Sequence, residues 1–99
     1  MKPVRLHEQA EVELREALAY YESQRAGLGG EFRREFEAAV ERVSTNPLAY
    51  AIEDDGVRIG PLRRFPYMLV YVDLVDGIWV AAVSHHARSP RYWAGRRPE

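Results

Sequence analysis

The sequence predicts an α+β domain in which a helical hairpin packs on a mostly antiparallel sheet, in the order β-α-α-β-β-β. Two observations carry this. Apolar residues recur at spacings of three and four through the first half of the chain and at spacings of two through much of the second, which are the periods of a buried helix face and of a strand. Glycine, proline and an Asp-Gly pair fall where one period gives way to the next, as turn chemistry requires.

Pro3 to His7 alternates Val4 and Leu6 with Arg5 and His7 and reads as a first strand, at the edge or in the middle of a sheet. From Glu8 to Arg25, Ala10, Leu14, Ala17, Leu18 and Tyr21 form one apolar stripe, and glutamates 8, 11, 13, 16 and 22 take mostly the remaining positions, so this segment is an amphipathic helix. Glu8 and Glu11 also suit the positive end of its dipole. Ala26-Gly27-Leu28-Gly29-Gly30 breaks the period. Phe32, Phe36, Ala39, Val40 and Val43 then define a second helix ending at Ser44-Thr45-Asn46-Pro47, because proline disfavours helical geometry in the residue before it. Leu48 to Gly56, with Glu53-Asp54-Asp55-Gly56, reads as a connecting loop. Val57, Ile59 and Leu62 mark a strand interrupted by Gly60-Pro61. Phe65 to Asp73 and Ile78 to His85 are strands joined at Asp76-Gly77, a strong hairpin signal.

In the strand Phe65 to Asp73, Phe65, Tyr67, Leu69 and Tyr71 share one face, and Met68, Val70 and Val72 the other. Both faces are apolar, so the strand is expected to be central. The helical hairpin covers one face, and the C-terminal tail, a second copy in a homodimer, or a protein partner must cover the other.

The 99 residues fit one domain, expected to span 1–99. No apolar run approaches the roughly 20 residues of a spanning helix, and the start Met1-Lys2-Pro3-Val4-Arg5 is not a signal peptide, so the chain reads as cytoplasmic with no membrane association. Cysteine is absent, which removes disulfides and thiolate metal sites, and no metal or cofactor is expected. The net charge of −1 hides a split: residues 1–55 hold seven Lys/Arg against twelve Asp/Glu, whereas residues 56–99 hold seven Arg against three. The C-terminal half is therefore the candidate surface for an anionic partner.

Several segments carry a resemblance: Tyr20-Tyr21-Glu22, Leu28-Gly29-Gly30-Glu31-Phe32, Asn46-Pro47, Arg63-Arg64-Phe65-Pro66-Tyr67 and, strongest, Val83-Ser84-His85-His86-Ala87-Arg88-Ser89-Pro90-Arg91-Tyr92-Trp93. In order and spacing the chain resembles the RelE/ParE toxins of type II toxin-antitoxin systems, closer to the ParE-like, plasmid-stabilisation branch. The resemblance implies a growth-inhibiting toxin neutralised by a cognate antitoxin whose disordered segment folds along the toxin surface.

It also implies a target- or RNA-binding surface built from Arg58, Arg63, Arg64, Arg88, Arg91, Tyr92 and Trp93. Ribonuclease members of the family place an arginine and a tyrosine where Arg88 and Tyr92 stand. Arginine forks onto phosphate, and tyrosine stacks on a base or exchanges a proton. Two departures oppose that chemistry. Tyr67 is followed by Met68 where those members carry an arginine, and the only lysine is Lys2, although they rely on lysine for proton transfer. His85 or His86 could substitute as general base at its ordinary pKa of about 6.5, but adjacent strand residues face opposite ways, so at most one reaches a given site. The leading expectation is thus a ParE-like toxin that inhibits DNA gyrase by protein binding, without catalysis. The alternatives are a RelE-like, ribosome-dependent mRNA endonuclease using Arg88, Tyr92 and a histidine, and an inactive toxin homologue that serves as an interaction domain.

Overall fold

The computed structural model describes residues 1–53 and 55–98; Asp54, within the expected turn, and Glu99 lie outside the described residues. Strand β1 (Val4–Leu6) leads into helices α1 (Glu8–Gln24) and α2 (Leu28–Thr45), and strands β2 (Arg58–Pro61), β3 (Tyr67–Leu74) and β4 (Gly77–His85) follow. This is the α+β, β-α-α-β-β-β architecture expected. The sheet order is β1-β4-β3-β2. β1 is an edge strand parallel to β4, and the other two pairings are antiparallel, so β3 and β4 are central. No helix among the described residues is long and apolar enough to cross a membrane.

The His7 imidazole caps α1, its Nδ1 accepting from the Gln9 N–H at 3.0 Å, as an oxygen side chain does at other N-caps. Gly27 ends the link between the helices with a left-handed φ of 90°, open to glycine at no steric cost. The Glu22 carboxylate then accepts from the Gly27 and Gly29 N–H groups, both at 3.0 Å, which answers two donors at the start of α2. α2 therefore begins earlier than the glycines suggest, with Gly29 and Gly30 inside its first turn. A Cβ on Gly29 would lie 3.0 Å from both the Leu18 carbonyl oxygen and Glu22, so only glycine lets the two helices approach this closely. The expected loop contains a short 3-10 turn, Pro47–Ala49, whose Pro47 carbonyl accepts from the Tyr71 hydroxyl at 2.7 Å.

Two apolar clusters sandwich the sheet. On the helix side, Ala10, Ala17, Phe32, Phe36, Ala39 and Val43 meet Leu69, Tyr71, Ile78, Val80 and Val83. Tyr21, Phe32, Phe65 and Tyr67 interlock there, with ring centroids 4.8 to 6.1 Å apart, mostly edge to face as ring quadrupoles favour. On the other side, Val57, Val70, Trp79, Ala81 and Ala82 pack with Trp93. The C-terminal tail thus covers the second face.

A bulge divides β4. Val70 pairs with Ala82 and Tyr71 with Val80, which leaves Ala81 unpaired. Ala81 and Ala82 both belong to the second cluster, and Val83 returns to the helix side. The extra residue inverts the alternation beyond it, and this decides where the strand delivers His85.

Candidate functional site

Of the expected site residues, His85, His86, Arg88, Tyr92 and Trp93 lie about the C-terminal end of β4, with the sheet between His85 and His86. On the helix side, Glu13, Glu16, Ala17 and Tyr20 of α1 face Tyr67, Val83, His85 and Arg88 across a cleft of ≈ 260 Å³. The bulge puts His85 here, edge-on to Tyr67 at 5.0 Å. Its Nδ1 accepts from the Ala87 N–H at 2.9 Å, a backbone bond that fixes the ring as it closes the turn. His86 lies on the opposite side, beside Met68, Ile59, Pro90 and Trp93. The two histidines therefore belong to different surfaces, as strand geometry requires.

Arg88 is exposed and lays its guanidinium over the Tyr92 ring at 3.9 Å, a cation–π contact. Arg96 approaches the same ring at 5.2 Å. The Tyr92 hydroxyl is buried beside Ser84 and Glu13 without reaching hydrogen-bonding geometry to either. Burial raises its pKa above the ordinary value of 10.0, and the nearby Glu13 carboxylate adds to this.

The remaining arginines do not converge on Arg88. Arg58 donates to the Tyr50 carbonyl at 2.6 Å. Arg64, held at a left-handed φ of 70°, bonds Glu31 at 2.6 Å and reaches Glu35 at 3.9 Å. Arg63 is exposed at the rim of a hollow between α2 and Tyr50. Arg91, also left-handed at φ 62°, pairs with Asp55 at 3.2 Å. Lys2 bonds Asp73 at 2.6 Å and the Leu74 carbonyl at 2.7 Å, at the end of β4 remote from Arg88 by the length of a nine-residue strand, roughly 25 Å. Met68 turns toward the tail-covered face.

A pair outside the expected site residues, Arg96 and Glu13, fixes the tail. The Arg96 guanidinium grips both Glu13 oxygens, at 3.2 and 2.9 Å, and donates to the Ala81 carbonyl at 2.8 Å. Glu13 also accepts from the Val83 N–H at 3.0 Å. The sequence carries one signal for it: Glu13 stands three residues after Ala10 and four before Ala17, on the apolar stripe of α1, where a carboxylate needs a partner.

The family model described as the ParE toxin of the type II toxin-antitoxin system, parDE, matches residues 4–90. The match includes the whole sheet, the hairpin and Arg88, and stops short of Tyr92 and Trp93. Among curated proteins no relative matches the chain. With the match spanning most of the 99 residues and the architecture agreeing element by element, the chain belongs to the ParE toxin family of type II toxin-antitoxin systems.

Proposed function

We propose that this protein inhibits DNA gyrase by protein contact, is neutralised by its cognate antitoxin in the cytoplasm, and cleaves no RNA. The observation that carries the reading is the dispersal of its cations. Arg58, Arg64, Arg91, Arg96 and Lys2 are each committed to a carbonyl or carboxylate, on separate parts of the surface. An endonuclease needs several of them around one phosphate, together with a general base, each contributing a factor of about 10² or more. The cleft that does hold His85 and Arg88 is walled by Glu13 and Glu16, and carboxylates repel an RNA backbone.

Purified protein added to gyrase and relaxed plasmid is expected to block supercoiling, and added to translating ribosomes to leave mRNA intact. Codon-dependent cuts with normal supercoiling would overturn the reading. One arrangement favours the RelE-like alternative: His85 and Arg88 line a single cleft, so such cuts would make His85 the first candidate for general base. Silence in both assays would support an inactive interaction domain.

A further inference from the structure

Two of the three histidines are tied to the backbone in the same way. His7, just past the end of β1, and His85, the last residue of β4, each turn Nδ1 back on the chain to accept the N–H two residues on, from Gln9 at 3.0 Å and from Ala87 at 2.9 Å. Aspartate and asparagine close such turns with an oxygen at the same δ position. A backbone N–H only donates, so Nδ1 is bare in both rings, and the one proton of the neutral imidazole lies on Nε2. A base acting on a ligand in the cleft beside His85 needs a bare nitrogen, and the bare one is occupied by the Ala87 N–H.

Three successive N–H groups after β4 are answered. His86 donates to the Pro66 carbonyl at 2.9 Å, Ala87 to the His85 ring, and Arg88 to the His85 carbonyl at 3.0 Å. His85 thus supplies two of the three acceptors. Its ring is itself held, because Tyr67 is its direct partner across the β3 and β4 ladder, edge-on at 5.0 Å, and Tyr67 belongs to the aromatic group with Tyr21 and Phe32. Position therefore passes from the core aromatics through His85 to the backbone of Arg88, whose guanidinium ends 3.9 Å from the centre of the Tyr92 ring. Arginine loses side-chain entropy when a partner orders it, so one already set in place binds more tightly.

We propose that His85 is the positioning residue for Arg88. Its Nδ1 and carbonyl fix the turn that sets the guanidinium on Tyr92, and its imidazole transfers no proton. The inference rests on the reading that the protein acts by contact, and it names the residue that prepares Arg88 for that contact. Two isosteres separate the roles of the ring nitrogens. Asparagine carries Oδ1 where Nδ1 stands and keeps the acceptor, whereas glutamine reaches to the place of Nε2 and leaves the Ala87 N–H unanswered.

The test compares the full chain with His85→Asn, His85→Gln and His85→Ala. Long-range proton–nitrogen NMR spectra of the parent at neutral pH are expected to show Nδ1 bare and Nε2 protonated in His7 and His85. The Ala87 amide should exchange with solvent about tenfold faster in His85→Ala and His85→Gln, and near the parent rate in His85→Asn. The Arg88 δ-proton signals, displaced by the Tyr92 ring current in the parent, should stay displaced in His85→Asn and move to random-coil values in the other two. Growth arrest on induction should follow the same order, kept with asparagine and lost with glutamine and alanine. Circular dichroism establishes that each variant is folded; if His85→Ala is not, the asparagine and glutamine variants decide. A protonated Nδ1, an Arg88 displacement that survives in His85→Gln or His85→Ala, or loss of arrest in a His85→Asn chain that keeps the displacement would each overturn the proposal. A parent that arrests no growth defeats the contact reading alone, since tautomer, exchange and ring-current shift are read on the isolated protein.

Discussion

Arg96 holds Glu13 in a two-pronged ion pair across 83 positions of sequence, joining the end of the chain to its first helix. The side chains are only 15% and 9% exposed, so screening by water is weak and loss of one partner leaves a largely buried charge. Arg96→Ala is expected to cost about 2 to 4 kcal/mol in urea unfolding. Arg96→Lys should recover only part of this, because an ammonium cannot match both oxygens. If the pair fixes the tail, trypsin will cut the variant faster after Arg88 and Arg91 while the rest of the chain stays protected. An unchanged cleavage pattern would show that the tail is held by Trp93 alone.

Gly77 is required by the close approach of β1 as well as standing at the end of the last hairpin turn. Asp76-Gly77 predicts a hairpin turn, and the hairpin is present, with Val75 and Asp76 as its loop and Gly77 opening β4. Neither Asp76 nor Gly77 has a positive φ. What requires glycine is the approach of β1: a Cβ would lie 2.8 Å from the Pro3 carbonyl oxygen, which itself accepts from the Ile78 N–H. Gly77→Ala should therefore push β1 away and lower stability by about 1 to 3 kcal/mol, whereas Gly95→Ala, with open space around it, should be nearly neutral. Thermal unfolding of the pair distinguishes a packing constraint from a simple glycine effect.

Local rules made the hairpin and the last three strands legible, because helix stripes, strand alternation and the glycine and proline stops all agree. The same rules explain much of the resemblance: Tyr21 and Phe32 are core, Glu22 caps α2, and Gly29 permits the close helix approach. What escaped depends on contacts between distant residues. Strict alternation from Ile78 would send His85 to the face of Trp79, and only pairing with β3 reveals the bulge that reverses it. The cover for the second sheet face was open among the tail, a copy and a partner, since Trp93 shows no period that ties it to Val57 or Trp79. Glu13 is one of five glutamates in the first helix, and only the fold brings Arg96 beside it.

Glu31 ties two segments together, accepting from Arg64 at 2.6 Å and from Arg25 at 3.1 Å. These bonds, Arg64 first, hold its carboxyl below the ordinary value of 4.5. The folded state thus binds this proton less readily than the unfolded chain. Its contribution to stability is complete above pH 4.5 and is lost as pH falls through the lowered folded value. Glu31→Gln should flatten that part of the acid-unfolding curve and lower stability near pH 7. An unaltered curve would mean that other carboxylates govern acid unfolding.

Tyr92 separates stacking from proton transfer. Its hydroxyl is buried and unpartnered, and its pKa is raised mainly by that burial, so at neutral pH it neither gives up a proton readily nor gains from its polarity. Tyr92→Phe should hold the ring under Arg88 and be neutral or stabilising by up to about 1 kcal/mol, because an unsatisfied hydroxyl is removed. Arg88→Ala should cost no more than about 1 kcal/mol, the value of an exposed cation–π contact. For a toxin that acts by contact, Arg88→Ala abolishes growth arrest and Tyr92→Phe preserves it, since the stacked guanidinium is what a partner meets. For a ribonuclease using the Tyr92 hydroxyl, both variants lose arrest. Induction of each variant in growing cells, with expression levels and melting temperatures matched, decides between them: arrest that survives Arg88→Ala would remove Arg88 from the target surface altogether.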